Sequence, residues 1–241
     1  MDLQCRSLDV KIATGGVALD RDARPVLLIH GAGMNRTVWN QQTRYLAHHG
    51  FAPIAVDLPG HGGSDGACHE TIGSMAEWVN DFIDEIGMGP VRLVGHSMGC
   101  LIALEVASSF SANVERIVLM GAAAAMPVHP DLLGAAQRNE ILAPQLMTAW
   151  AHGSRAHIAG NPTPGLWMRS SCQALLERAG DGVIFNMTPS PGATSAIDNA
   201  RVDMNSIAKQ LGATIDEAGF QTIFNQSAMV GEATTTEVGH M

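Results

Sequence analysis

Four short, nearly unbroken apolar runs set the strongest limit on what this chain can fold into. They are Pro25-Val26-Leu27-Leu28-Ile29, Ala52-Pro53-Ile54-Ala55-Val56, Val91-Arg92-Leu93-Val94 and Ile117-Val118-Leu119-Met120. Runs of this length without polar alternation fit parallel strands covered on both faces. Helical patterns lie between them. Met75, Trp78, Val79, Phe82, Ile83 and Ile86 recur at helical spacing, with Gly87 placed to cap the C-terminus. A second helix is predicted from Met98 to about Ser109, with Ile102, Val106 and Phe110 on one side. This alternation predicts an α/β fold: a mostly parallel central sheet flanked by helices and joined by right-handed crossovers. Ligands in such sheets bind beyond the carboxyl ends of the strands.

Leu8-Asp9-Val10-Lys11-Ile12 alternates with period two, and Gly15-Gly16 offers a hairpin turn toward Val17-Ala18-Leu19. An antiparallel edge is therefore expected near the N-terminus. From about Met126 the rhythm changes. Pro127, Pro130, Pro144, Pro162 and Pro164 punctuate short helical pieces, expected at 132–141 and 170–179. Residues 127–185 are read as a helical cap inserted over the strand ends, with 1–126 and 186–241 forming the core domain. Met126, Met147, Trp150, Trp167 and Met168 in the insertion suit an apolar acyl or aromatic group, and suit core packing equally well.

The 241 residues are enough for one sizeable core, and a hydrophobic content of 46 % excludes a disordered chain. The net charge of −9 and the scattered Lys and Arg leave no basic stripe to follow a nucleic acid. No apolar run approaches the roughly 20 residues of a membrane helix, so no membrane partner is expected. The N-terminus carries charge at once and has no apolar core of a signal peptide. Cys5, Cys68, Cys100 and Cys172 have no metal-ligand spacing and read as free thiols of a cytoplasmic protein. Oligomeric state is not legible.

Gly95-His96-Ser97-Met98-Gly99 carries the chemistry. In a G-x-S-x-G pattern a strand turns sharply into a helix and exposes the middle serine above the sheet, and the glycines leave room for the close turn. Here an apolar run precedes the motif and a helical pattern follows it. Ser97 is thus the candidate nucleophile. His30-Gly31-Ala32-Gly33-Met34-Asn35 follows an earlier strand, and its small residues let the backbone approach an oxyanion. The expected donors are the N–H groups of Ala32 and Met98, with Gly31 and Gly33 shaping the loop. His30 is expected to brace it. Asp57-Leu58-Pro59-Gly60-His61-Gly62-Gly63-Ser64 follows the next strand, and Asp57 and His61 are read as holding that loop.

In order and on successive strand ends, H-G-A-G-M-N, V-D-L-P-G-H-G-G-S-D and G-H-S-M-G resemble the α/β-hydrolase superfamily. The likeness covers residues 1–125, and the insertion is similar to the helical cap of its esterase and C–C hydrolase members. It implies an acyl-enzyme mechanism with serine, acid and histidine in that chain order. A serine at the turn, rather than an aspartate, argues against the haloalkane dehalogenase and epoxide hydrolase branches. No metal or organic cofactor is implied, because the serine itself carries the covalent chemistry.

The last third fits the family pattern poorly. Thr234-Thr235-Thr236-Glu237-Val238 reads as a β-branched strand, and Gly239-His240 resembles the family's glycine–histidine before a final helix. His240 is the expected base, with His96, His129, His152 and His157 as alternatives. Asp216 is the expected acid, chosen by its spacing from His240. A small to medium carboxylic ester, or a related acyl compound, is the expected substrate. If 186–241 builds no acid and histidine, the alternative is an impaired member that keeps the fold and pocket as a binding protein.

Overall fold

The computed structural model describes residues 1–122, 128–138, 140–151 and 168–177. Six strands form one sheet in the order β1-β2-β4-β3-β5-β6. They are β1 (Asp2–Cys5), β2 (Leu8–Ala13), β3 (Arg24–Ile29), β4 (Phe51–Val56), β5 (Val91–His96) and β6 (Val114–Met120). β4, β3, β5 and β6 run parallel, while β1 and β2 are antiparallel to their neighbours. Each of the four apolar runs thus lies in a parallel strand.

The expected antiparallel edge exists, but its partner differs. β2 turns back on Asp2–Cys5 through Arg6 and Ser7, both at positive φ, and not onto residues 17–19. Gly15 and Gly16 do adopt positive φ, but residues 17–19 beyond them form no strand. Thr14, just after β2, instead donates its hydroxyl to the Val17 carbonyl and closes a local loop.

Both faces of β3 and β4 are covered, which explains why their sequences do not alternate, whereas Val118 and Met120 of β6 are exposed. Leu27, Ile29, Ile54, Val56 and Leu93 pack beneath α2 (Ile72–Ile86) and α3 (Met98–Ser109). Val26, Leu28 and Ala55 face the other way, against Trp39 just before α1 (Asn40–Ala47). α2 begins where the Thr71 hydroxyl accepts from Ser74 N–H, and ends at Gly87 with φ 61°. Its buried stripe includes Trp78 and Phe82, stacked with centroids 5.5 Å apart.

Beyond β6 come α4 (Pro130–Gln137), α5 (Leu142–Trp150) and α6 (Met168–Glu177). The expected helix at 132–141 stops earlier and a new one starts at Leu142, where Pro144 sits harmlessly in the first turn. The helix expected at 170–179 lies two residues earlier. Leu132, Ala135 and Ala143 form a small separate core between α4 and α5. Asp216, His240 and the whole of 186–241 lie outside the described residues, as do His152 and His157.

Candidate active site

The turn from β5 into α3 is built by close backbone contact. A Cβ on Gly95 would collide with the Gly99 carbonyl, and one on Gly99 would collide with the Ile29 carbonyl of β3. Only glycine fits either place. Between them Ser97 sits at φ 52°, ψ −117°, a region that costs a non-glycine residue on the order of 1–3 kcal/mol. Its N–H donates to Met120 O of β6 at 3.0 Å, and its carbonyl accepts from Cys100 N–H at 2.9 Å. The Cys100 thiol donates to Gly95 O at 3.1 Å or Met120 O at 3.2 Å from beneath the turn. Burial pushes that thiol up to about 11, so it stays protonated and structural.

Met98 opens α3, where a helical N–H has no acceptor in its own helix. Ala32 lies in the loop after β3. Neither N–H donates to any other described residue. The loop stands against the turn: a Cβ on Gly31 would lie 3.2 Å from Ser97 Cβ and 3.2 Å from His96 Nδ1. Gly33 takes φ 68° and Met34 N–H closes the loop onto Gly31 O at 3.2 Å. The structure therefore brings Gly31, Ala32, Gly33, Ser97 and Met98 to adjoining strand ends.

Two clamps hold this loop. His30, fully buried, donates from Nδ1 to Gly31 O at 2.8 Å and accepts from Leu58 N–H at Nε2, 3.2 Å. Burial, and to a lesser degree the neighbouring His61, push its pKa down to about 3, so it is neutral. The Asp57 carboxylate, equally buried, accepts from Arg36 N–H at 2.6 Å, from the Arg36 guanidinium and from Gly63 N–H at 2.8 Å. The bracing roles expected of His30 and Asp57 follow from these bonds. Arg36 was not legible as Asp57's partner, because its place opposite the β4 loop depends on the pairing of β3 with β4. His61 packs its ring 4.9 Å from that of His30, with Nδ1 on Pro59 O at 3.0 Å.

Among the described residues no histidine hydrogen-bonds the Ser97 hydroxyl. The His96 ring turns to Trp39, edge to face at 6.4 Å. His129 caps α4, accepting from Asp131 N–H at 3.2 Å, with its ring 5.2 Å from that of Trp150.

Beside the turn opens a cavity of about 780 Å³. Met34, His96 and Met120 bound it at the ends of the β3 loop, β5 and β6. Trp39 and Gln42 form a side wall, and Ala174 and Leu175 of α6 lie opposite. Trp39, just before α1, and Gln42, within it, carry no local sequence motif that marks a cavity wall. No group of described residues has the make-up of a metal site, and no described helix is long and apolar enough to cross a membrane.

Residues 24–144 match the alpha/beta hydrolase fold family. Lipase LipV of Mycobacterium tuberculosis is 31 % identical over 243 residues, covering 88 % of this chain and 89 % of that one. The chain belongs to the alpha/beta hydrolase fold family. (E)-2-((N-methylformamido)methylene)succinate hydrolase of Acinetobacter baylyi is 35 % identical over 100 residues, which is 41 % of this chain but only 38 % of that protein's length. Among solved structures, the enol-lactonase of Burkholderia xenovorans superposes with a TM-score of 0.63 at 16 % identity, over 83 % of this chain and 72 % of that one.

Proposed function

We propose that the chain is a serine hydrolase of small to medium carboxylic esters or related acyl compounds, working through an acyl-enzyme at Ser97. The observation that carries this reading is the strained Ser97 backbone at a strand-to-helix turn, with two unengaged N–H groups beside it. A relative named as a lipase and another named as a hydrolase fit it.

In the mechanism, Ser97 Oγ attacks the acyl carbon as a base removes its proton, and the carbonyl oxygen becomes an oxyanion. Ala32 and Met98 N–H donate to that oxyanion, a kind of contact worth about 3–4 kcal/mol in the transition state. The tetrahedral intermediate expels the alcohol, which takes the proton from the base, and water then releases the acid by the reverse sequence. We assign the base to His240 and its orienting acid to Asp216. Helices α4 to α6, in the 127–185 insertion, serve as the cap. No cofactor enters any of these steps, and a cytoplasmic setting suits the four free cysteines.

A fluorophosphonate probe tests the reading. It is expected to label Ser97 in the wild-type protein and to leave Ser97→Ala unlabelled. Folded protein that takes no label and turns over no p-nitrophenyl ester overturns it, and leaves a binding protein without a working relay. Label and turnover undiminished in His240→Ala would reassign the base.

A further inference from the structure

Resting on that reading, we infer that His61 positions the loop carrying Ala32 N–H through His30, and that it does so only while its ring is neutral. The relay runs from bond to bond. His61 folds the turn after β4 twice over: its backbone N–H donates to Leu58 O at 2.9 Å, and its ring donates from Nδ1 to Pro59 O at 3.0 Å. That turn presents Leu58 N–H to His30 Nε2 at 3.2 Å. Because Nε2 accepts, the proton of His30 sits on Nδ1, which donates to Gly31 O at 2.8 Å, one residue from Ala32. Gly31 O also accepts from Met34 N–H, the bond that closes the loop. The two rings lie 4.9 Å apart, so His61 also walls in the imidazole that it helps to orient.

The condition comes from the other ring nitrogen. His61 is 2 % exposed, and among the described residues nothing hydrogen-bonds its Nε2. A neutral Nε2 carries only a lone pair, whereas a protonated one is a buried cationic donor, far costlier without an acceptor. The titratable groups that face it leave it without one. His30 has both ring nitrogens engaged, and the Asp57 carboxylate is already held by Arg36 and Gly63 N–H. Protonation therefore turns the ring out toward water, and the 58–61 turn shifts with it. His61 answers acid before His30 does. Burial lowers both, but the Pro59 carbonyl and the Asp57 charge hold His61 up, while His61 and His96 push His30 further down. His30 stays buried and neutral in this step. Without Leu58 N–H its ring is no longer fixed at Nε2, and Ala32 N–H loses its set position.

The test follows the wild-type chain by NMR as pH is lowered, with circular dichroism reporting the fold. The His61 ring is expected to gain a proton below pH 6.5 while the fold stays closed, and the Leu58 and Ala32 amide signals to move with the same midpoint. An Ala32 amide that stays in place while His61 titrates overturns the inference. So does a His61 ring that takes no proton until the fold opens. Two variants remove the titration in different ways. His61→Asn keeps a donor for Pro59 O, and His61→Phe keeps a ring beside His30. In either one, the acid-linked movement of Ala32 should vanish, and its persistence overturns the inference. Turnover of p-nitrophenyl acetate adds a second readout. The catalytic base lowers the rate in acid in all three proteins, so the acid limb of log kcat/KM should have a slope of about two in the wild type and about one in the variants. The extra limb is expected to cost about tenfold or more in rate. The NMR readout needs no catalysis, which separates this inference from the hydrolase reading. Coupled movement of His61 and Ala32 in a protein that hydrolyses nothing would sustain the relay and sink the hydrolase. Turnover with the same single-proton limb in all three proteins would do the opposite.

Discussion

Gly31 and Ser97 approach so closely that a single methyl group on Gly31 would lie 3.2 Å from Ser97 Cβ. The loop after β3 and the turn after β5 thereby form one surface, with Ala32 N–H and Met98 N–H on it. Gly31 is not at positive φ, so its requirement is one of space and not of backbone conformation.

Gly31→Ala is accordingly expected to fold and to be a poor catalyst. The added methyl must push the loop or Ser97 by a few tenths of an ångström, and also meets His96 Nδ1 at 3.2 Å. Misplacing reacting groups on this scale costs on the order of tenfold to a hundredfold in rate. Steady-state hydrolysis of p-nitrophenyl acetate should show the loss mainly in kcat, with the thermal midpoint moved little. A fall in the midpoint with kcat intact would place the strain elsewhere.

Ser97→Gly should stabilise the fold while removing the nucleophile. Its φ of 52° and ψ of −117° cost a serine backbone free energy that glycine does not incur. Urea unfolding is expected to show a gain of about 1 kcal/mol after glycine's greater unfolded-state entropy is taken off. Ser97→Ala, which keeps a Cβ, should show no comparable gain. Equal stability in the two variants would mean that the turn is relaxed in solution.

The Asp57 carboxylate joins two loops through three donors, Arg36 N–H, the Arg36 guanidinium and Gly63 N–H. Asp57→Asn keeps the shape but presents an amide N–H to at least one donor. The Arg36 guanidinium, about one-third exposed, can turn to water, which limits the damage. A loss of about 1–3 kcal/mol in chemical denaturation is expected, together with a lower kcat, since the Arg36 end of the Ala32 loop is released. Asp57→Asn with unchanged kcat would show that His30 alone holds the loop.

Much of this was legible in the sequence because local signals coincide with tertiary demands. The four apolar runs became the four parallel strands, and α3 runs from Met98 to Ser109 as its pattern requires. Gly87 caps α2 at positive φ. Residues 17–19 misled because a Gly-Gly turn signals a reversal without naming the partner, and Asp2–Cys5 won the pairing with β2. The Arg36–Asp57 clamp and the Trp39 wall were hidden for a related reason. They arise from the register of β3 on β4, which no local pattern encodes. Asp216 and His240 fall outside the described residues, so their assignment rests on spacing and resemblance.

The His30 clamp makes the fold sensitive to acid. Burial, with His61 beside it, holds His30 down to about 3 in the folded chain, against 6.5 for a free imidazole. Below 6.5 the unfolded chain takes up a proton that the folded chain refuses. The stability contributed by this site is therefore complete above about pH 6.5 and is lost as pH falls toward 3. His61, also lowered chiefly by burial, acts in the same direction. Urea unfolding measured between about pH 7 and about pH 5 should give a slope that includes up to about 1.4 kcal/mol per pH unit from His30. His30→Gln retains an acceptor for Leu58 N–H but has no imidazole to titrate. It is expected to be less stable at pH 7 and to show a slope shallower by that amount. Parallel slopes in the two proteins would mean that His30 is protonated and exposed before the fold opens, and that the loop carrying Ala32 is not locked by it.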